Sequence, residues 1–159
     1  MNTYELAISL EYDLEKYYIE QADKHSNNHL KKVFLMLAEA ERQHAKLLED
    51  NKEKLTAPIE DQDIIEDAKK IFKELKDIEI DPEHHLSQLD SYRKALEYEE
   101  KSMAMYKELQ EKDPDRKEIY EFLEKEEDKH CILLEEIIKL TSRPEEWVES
   151  AEFGIREDY

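Results

Sequence analysis

The sequence predicts an all-α protein: a four-helix bundle of two helical hairpins joined by one long crossover, with a short C-terminal helix or tail. Three observations lead there. The 159 residues include one glycine and four prolines while 42% are charged, a composition of long helices with brief breaks. Apolar residues recur at alternating spacings of three and four, which marks one buried stripe per helix. The breaks fall in a short, long, short order, which suits two antiparallel pairs with a single crossing connection. The 39% hydrophobic content is low for a thick globule but enough for a bundle that buries only one stripe per helix.

The first helix is expected over 3–24, with Thr3 as its N-cap. Its stripe reads Tyr4, Ala7, Glu11, Leu14, Tyr18. Ser26-Asn27-Asn28 makes the first short break. The second helix follows over 29–55 with the stripe Leu30, Phe34, Leu37, Glu41, His44, Leu48, and stops near Ala57-Pro58. The long connection carries Ile64, Ile65, Ala68, Ile71, Phe72 and Leu75, read as a short crossover helix. Asp81-Pro82 opens the third helix, over 82–111, because proline is tolerated in a first turn. Its stripe is Leu89, Tyr92, Leu96, Glu99, Met103, Tyr106. Asp113-Pro114-Asp115 is the second tight break. The fourth helix, over 115–140, shows Tyr120, Leu123, Glu127, His130, Leu134, Ile137. The domain reading is a bundle over 1–141 and an extension over 142–159. In that extension Pro144 starts a short helix, and Trp147, Val148 and Phe153 pack on the bundle or on a partner chain.

Two of these segments repeat one another. Glu11 with Tyr18 two turns later, then Glu41-Arg42-Gln43-His44, is matched by Glu99 with Tyr106, then Glu127-Asp128-Lys129-His130. A lone Glu-x-x-His in a glutamate-rich helix means little. Two copies in register, each with a partner glutamate and each inside the apolar stripe, are another matter. Burying carboxylates without compensation costs several kcal/mol per ion, and a cation is the simple compensation. Glu11, Glu41, His44, Glu99, Glu127 and His130 are therefore the candidate metal ligands, with i and i+3 spacing presenting Glu oxygen and His nitrogen to one centre. Oxygen ligands mixed with imidazole suit two iron ions, with manganese or zinc as alternatives. Tyr18 and Tyr106 can each donate a hydrogen bond to a ligand carboxylate. Glu97 is the alternative ligand if the register slips. Met36, Met103 and Met105 read as core fillers, and Cys131 as a buried structural thiol. His25, His29, His84 and His85 read as surface residues.

A formal charge of −19 argues against nucleic acid or an anionic membrane as partner. No apolar run approaches bilayer length and the first residues lack a signal-peptide pattern, so a cytoplasmic protein is expected. The sole cysteine, Cys131, excludes an internal disulfide and any thiolate-bound metal site made by this chain alone.

On Glu11 to Tyr18, Glu41-Arg42-Gln43-His44, Glu99 to Tyr106 and Glu127-Asp128-Lys129-His130, nearly the whole chain resembles the rubrerythrin branch of the ferritin-like superfamily. The resemblance implies half-sites of Glu11, Glu41, His44 and of Glu99, Glu127, His130, with Glu41 and Glu127 bridging two irons at the reacting centre. It implies a di-iron oxidoreductase that reduces hydrogen peroxide, or dioxygen, and a small oligomer such as a homodimer. Family members with the additional rubredoxin-like domain carry four cysteines that this chain lacks, so electrons are expected from a separate donor such as a rubredoxin-like protein. Where the family has an extra glutamate one turn after the third-helix ligand, this chain has Ser102, with Glu100 close by. The alternative function is iron oxidation and sequestration in the manner of ferritin. A third is a bundle whose metal only stabilises the fold.

Overall fold

The computed structural model describes the backbone of residues 2–25, 28–52 and 82–153, and the side chains of 2–25, 29–52 and 88–142. The described residues form four α-helices, α1 (Thr3–Lys24), α2 (Asn28–Asp50), α3 (Pro82–Lys112) and α4 (Lys117–Phe153), with a 3₁₀ turn at Pro114–Arg116. They contain no strand. The expected crossover helix within 64–75 lies outside them.

Boundaries shift for local reasons. The α1 cap is Asn2 rather than Thr3: its side-chain oxygen accepts the Glu5 N–H at 2.8 Å, satisfying one orphan donor of the first turn. Helix α2 ends at Asp50, where the Asn51 side chain folds back to donate to the Leu47 carbonyl at 2.8 Å. Helix α4 starts at Lys117, after the 3₁₀ turn, and runs through Pro144 to Phe153 as one helix, without the break expected after 140. Proline's fixed φ is compatible with helix, and what it removes is one backbone bond. Just before it, the Thr141 hydroxyl donates to the Ile137 carbonyl at 2.8 Å.

Helix α1 packs along α2 and α3 along α4, and the two hairpins meet with α1 beside α3 and α2 beside α4. Cross-links fix the directions. Tyr18 reaches Glu99 while Tyr106 reaches Glu11, so α1 and α3 are antiparallel. His44 reaches Glu127 while His130 reaches Glu41, so α2 and α4 are antiparallel as well. The end of α2 and the start of α3 therefore lie at opposite ends of the bundle, the geometry of a single long crossover.

The stripes read from the sequence are the buried faces. All named positions of α1, α2 and α4 are buried, and in α3 only Leu96 and Met103 are half-exposed. Among the described residues the apolar core comes in two pieces. One holds Tyr18, Leu30, Phe34, Leu37, Tyr92 and Ile137, among others. The other holds Tyr4, Leu48, Tyr106, Leu109, Tyr120 and Leu123. Between them runs a layer of buried Glu and His. His25, expected at the surface, is 5% exposed. Its ring packs on Phe34 and Tyr92, and its two nitrogens pair with the Gln21 carbonyl and the Tyr92 hydroxyl. His29 is half-buried, and the side chains of His84 and His85 lie outside the described residues. Cys131 is buried with its thiol 3.6 Å from the Met103 sulfur, and burial pushes its pKa up to about 12, which keeps it protonated and inert.

At the opposite end Arg116 ties the hairpins together. Its guanidinium donates to the backbone carbonyls of Asn51 and Lys52 and to Asp113, and lies 4.8 Å from the centre of the Tyr4 ring. Arg116→Ala removes donors from the carbonyls that close α2. Charged hydrogen bonds of this kind contribute roughly 1.5–3 kcal/mol. A urea midpoint lowered by about that free energy is expected, and an unchanged midpoint would show the clamp to be idle.

Candidate metal centre

The centre is built from one turn of each helix at mid-bundle. Glu11 comes from α1, Glu41 and His44 from α2, Glu99 from α3, and Glu127 and His130 from α4. The helical repeat puts Glu41 above His44, and Glu127 above His130, on one face. All six sequence-derived positions converge, and none is more than 1% exposed. They form two overlapping groups, Glu11, Glu41, His44, Glu127 and Glu41, Glu99, Glu127, His130, each with one ligand atom per residue lying within 4.8 Å of the others. Glu41 and Glu127 belong to both. Glu97, the alternative ligand, is exposed, as is Glu100.

The contacts repeat between halves. His44 Nδ1 lies 3.1 Å from Glu127 and 3.5 Å from both Glu11 and Glu41. His130 Nδ1 lies 2.8 Å from Glu41, 3.4 Å from Glu99 and 3.6 Å from Glu127. The imidazoles stack with centroids 5.6 Å apart. Each tyrosine supports the glutamate of the opposite half: Tyr18 donates to Glu99 at 2.5 Å, and Tyr106 donates to Glu11. The antiparallel α1 and α3 explain the exchange, since two turns along α1 from Glu11 is level with Glu99. Burial holds both phenols well above their usual pKa, with nearby glutamates adding to the shift, so they stay hydrogen-bond donors.

One oxygen of each of Glu11, Glu41, Glu99 and Glu127 is buried without a hydrogen-bond partner. Natural interiors leave few such atoms, and four converging at one layer are what a pair of cations would satisfy. The donor set of carboxylate oxygen and imidazole nitrogen suits iron or manganese.

Glu126 was not legible in the sequence. It is 1% exposed, with Oε1 4.0 Å from His44 Nε2 and Oε2 3.0 Å from Lys129 Nζ. One residue along from Glu127 it falls off the stripe. Its counterpart in the repeat is Ala40, so the duplication offered no hint. Its position beside Nε2 of His44, across the ring from the Nδ1 that faces Glu11, Glu41 and Glu127, makes the two halves unequal.

Without metal, protons do the neutralising. Burial and repulsion from Glu11 and Glu127 raise the Glu41 carboxyl well above its usual range. Burial would raise Glu127 too, but hydrogen bonds from His130 and His44 outweigh it and hold the group at about 2. Burial would depress both imidazoles. The surrounding carboxylates override it, raising His130 to about 10 and His44 well above its ordinary value. Metal ligands must be deprotonated, so loading divalent ions near pH 7 displaces protons from Glu41, His44 and His130. Proton release on titrating the metal-free protein is expected, with affinity rising as pH climbs toward 10. Metal uptake with no proton release in a weakly buffered titration would contradict this charge state.

A groove of about 590 Å³ opens between α1 and α3, lined in part by Leu14 and Ser102. Along their helices these residues sit one turn on from Glu11 and Glu99.

Fold and site define a ferritin-like carboxylate bundle with a candidate two-metal centre. The family model that matches is that of rubrerythrin, over residues 3–138. The chain belongs to the rubrerythrin family. No curated protein and no solved structure shows significant similarity to it. Among the described residues no helix is long and apolar enough to cross a membrane. Family membership together with the two Glu/His groups supports di-iron oxidoreductase chemistry in general.

Proposed function

We propose that Glu11, Glu41, His44, Glu99, Glu127 and His130 hold two iron ions, and that the protein reduces hydrogen peroxide, with dioxygen the lesser oxidant. Its electrons come from a separate donor, for which a rubredoxin-like protein is a candidate. The observation that carries this reading is the pair of overlapping ligand groups sharing Glu41 and Glu127. Two ions held by groups that share these carboxylates would be neighbours, so that one small oxidant could meet both. The irons, when bound, supply one electron each.

The chain's own residues do the rest. Tyr18 and Tyr106 hold Glu99 and Glu11 in place by hydrogen bonds across the hairpins. The two apolar core pieces exclude bulk water above and below the layer. The groove beside Leu14 and Ser102 gives a small oxidant a way in from the α1–α3 side. A homodimer and a cytoplasmic setting belong to the same proposal, as does docking of residues 142–159 on the bundle or a partner chain.

Metal analysis after iron reconstitution tests the reading, together with a size measurement. Two irons per chain in a small oligomer support it. Iron-free protein sinks it, and a large cage with ferric mineral would favour sequestration. The same assay reads Tyr106→Phe, which removes a bond that orients Glu11. Outer partners of metal ligands are typically worth about 10–100-fold in affinity, and weakening in that range is expected.

A further inference from the structure

An aromatic ladder leads from the centre to one end of the bundle. Tyr106, bonded to Glu11, stacks on Tyr120 with centroids 6.3 Å apart, and Tyr120 meets Tyr4 edge-on at 6.4 Å. Tyr4 and Tyr120 border a cleft of about 390 Å³ that also takes in Lys52, Lys112 and Arg116. The repeat builds the counterpart in the other half as Tyr18, Phe34 and Tyr92, with centroids 6.0 and 5.4 Å apart. The middle rung there is phenylalanine, which has no O–H to lose.

The rungs differ in where a proton can go. A phenol gives up an electron readily only if its proton leaves at the same time. Tyr120 donates to the Asp113 carboxylate at 2.6 Å, outside the metal centre. Tyr4 donates to the backbone carbonyl of Leu48, a poor proton acceptor. A further route runs through Tyr18, Tyr17 and Tyr98, with centroids 5.9 and 5.5 Å apart, and its middle phenol, Tyr17, donates to the Ser91 carbonyl, again no base. Tyr120 alone among these rungs joins contact with a ring that touches a ligand, a carboxylate for its proton, and a place beside an open cleft.

We propose that Tyr106 and Tyr120 form a one-electron relay between the metal centre and a reductant arriving at the Tyr4–Tyr120 cleft. This rests on the reading that the centre holds iron and reacts with peroxide or dioxygen. Dioxygen needs four electrons and four protons to become two waters, and two ferrous ions supply two of the electrons. For each of the others, Tyr106 passes one electron to the centre as its phenolic proton shifts along its hydrogen bond to Glu11, then takes that proton back when Tyr120 returns the electron, while solvent supplies the four protons of the two waters. The Tyr120 phenolic proton moves to Asp113, leaving a neutral phenoxyl radical. A one-electron donor of the thiol, enediol or redox-protein class then reduces the radical, and Asp113 returns the proton.

The test uses the iron-loaded protein, reduced anaerobically, mixed with excess dioxygen and frozen at intervals for EPR, with iron oxidation followed optically in parallel. A tyrosyl signal is expected in the parent, decaying faster when ascorbate is added. Tyr120→Phe keeps the ring and loses the O–H, so the Tyr120 signal should vanish, leaving at most the differently coupled spectrum of Tyr106, while the iron still oxidises. Asp113→Asn removes the base and should give the same loss. Tyr17→Phe and Tyr92→Phe should retain the signal. Iron oxidation without a radical in the parent, or a radical unchanged in Tyr120→Phe, overturns the relay. Failure of the iron to bind or oxidise at all would instead overturn the functional reading beneath it.

Discussion

In the metal-free protein Glu127→Ala will lower stability by about 3–5 kcal/mol, whereas replacing all six centre residues with packed apolar side chains will raise it by about 1–4 kcal/mol. Both results follow from one geometry. Glu127 pairs with both imidazoles, 3.1 Å from His44 and 3.6 Å from His130, so its removal strips two buried cations of a shared partner. Removing the whole layer instead eliminates the desolvation penalty of every group at once and merges the two apolar core pieces. The measurement belongs near neutral pH with a chelator present, because linkage sets the window. Glu127, held at about 2, contributes stability above the ordinary carboxylate range and loses it as pH falls through 2. His130, raised to about 10, contributes below its ordinary value of 6.5 and loses that contribution as pH rises through 10. Urea midpoints read both variants, and neither should bind two ions. An apolar replacement less stable than the metal-free parent would mean that these residues stabilise the fold in their own right.

The contrast between Glu127 and Glu126 shows how far the sequence could be read. The buried Glu and His layer was legible because duplication and the apolar stripe agreed on the same six positions. Glu126 lies in a run of acids and lysines, where a single helical offset decides between burial and exposure. No pattern of period three and four resolves neighbours that finely. Tyr18 and Tyr106 were legible as supports for carboxylates, but not their exchange between halves. That exchange depends on α1 and α3 lying antiparallel side by side, a tertiary fact. His25 misled for a related reason. It ends α1, where exposure is the ordinary expectation, yet Phe34 from α2 and Tyr92 from α3 close over it. The helix run through Pro144 was hidden because a proline after a polar pair reads as a break.

The iron-loaded, reduced protein will be reoxidised faster by hydrogen peroxide than by dioxygen. Peroxide needs two electrons to become two waters, and two irons held by the six residues of the centre would deliver two. Dioxygen needs four, so its full reduction waits on electrons from outside the pair. The direction of the preference follows the rubrerythrin membership together with this electron count. The one cysteine of these 159 residues cannot make a thiolate iron site, and sustained turnover is expected to require an added donor such as a rubredoxin-like protein. Anaerobic stopped-flow mixing with each oxidant, followed by turnover with and without the donor, reads both halves. Faster reaction with dioxygen, together with growth of a ferric mineral, would turn the assignment from peroxide reduction to iron handling.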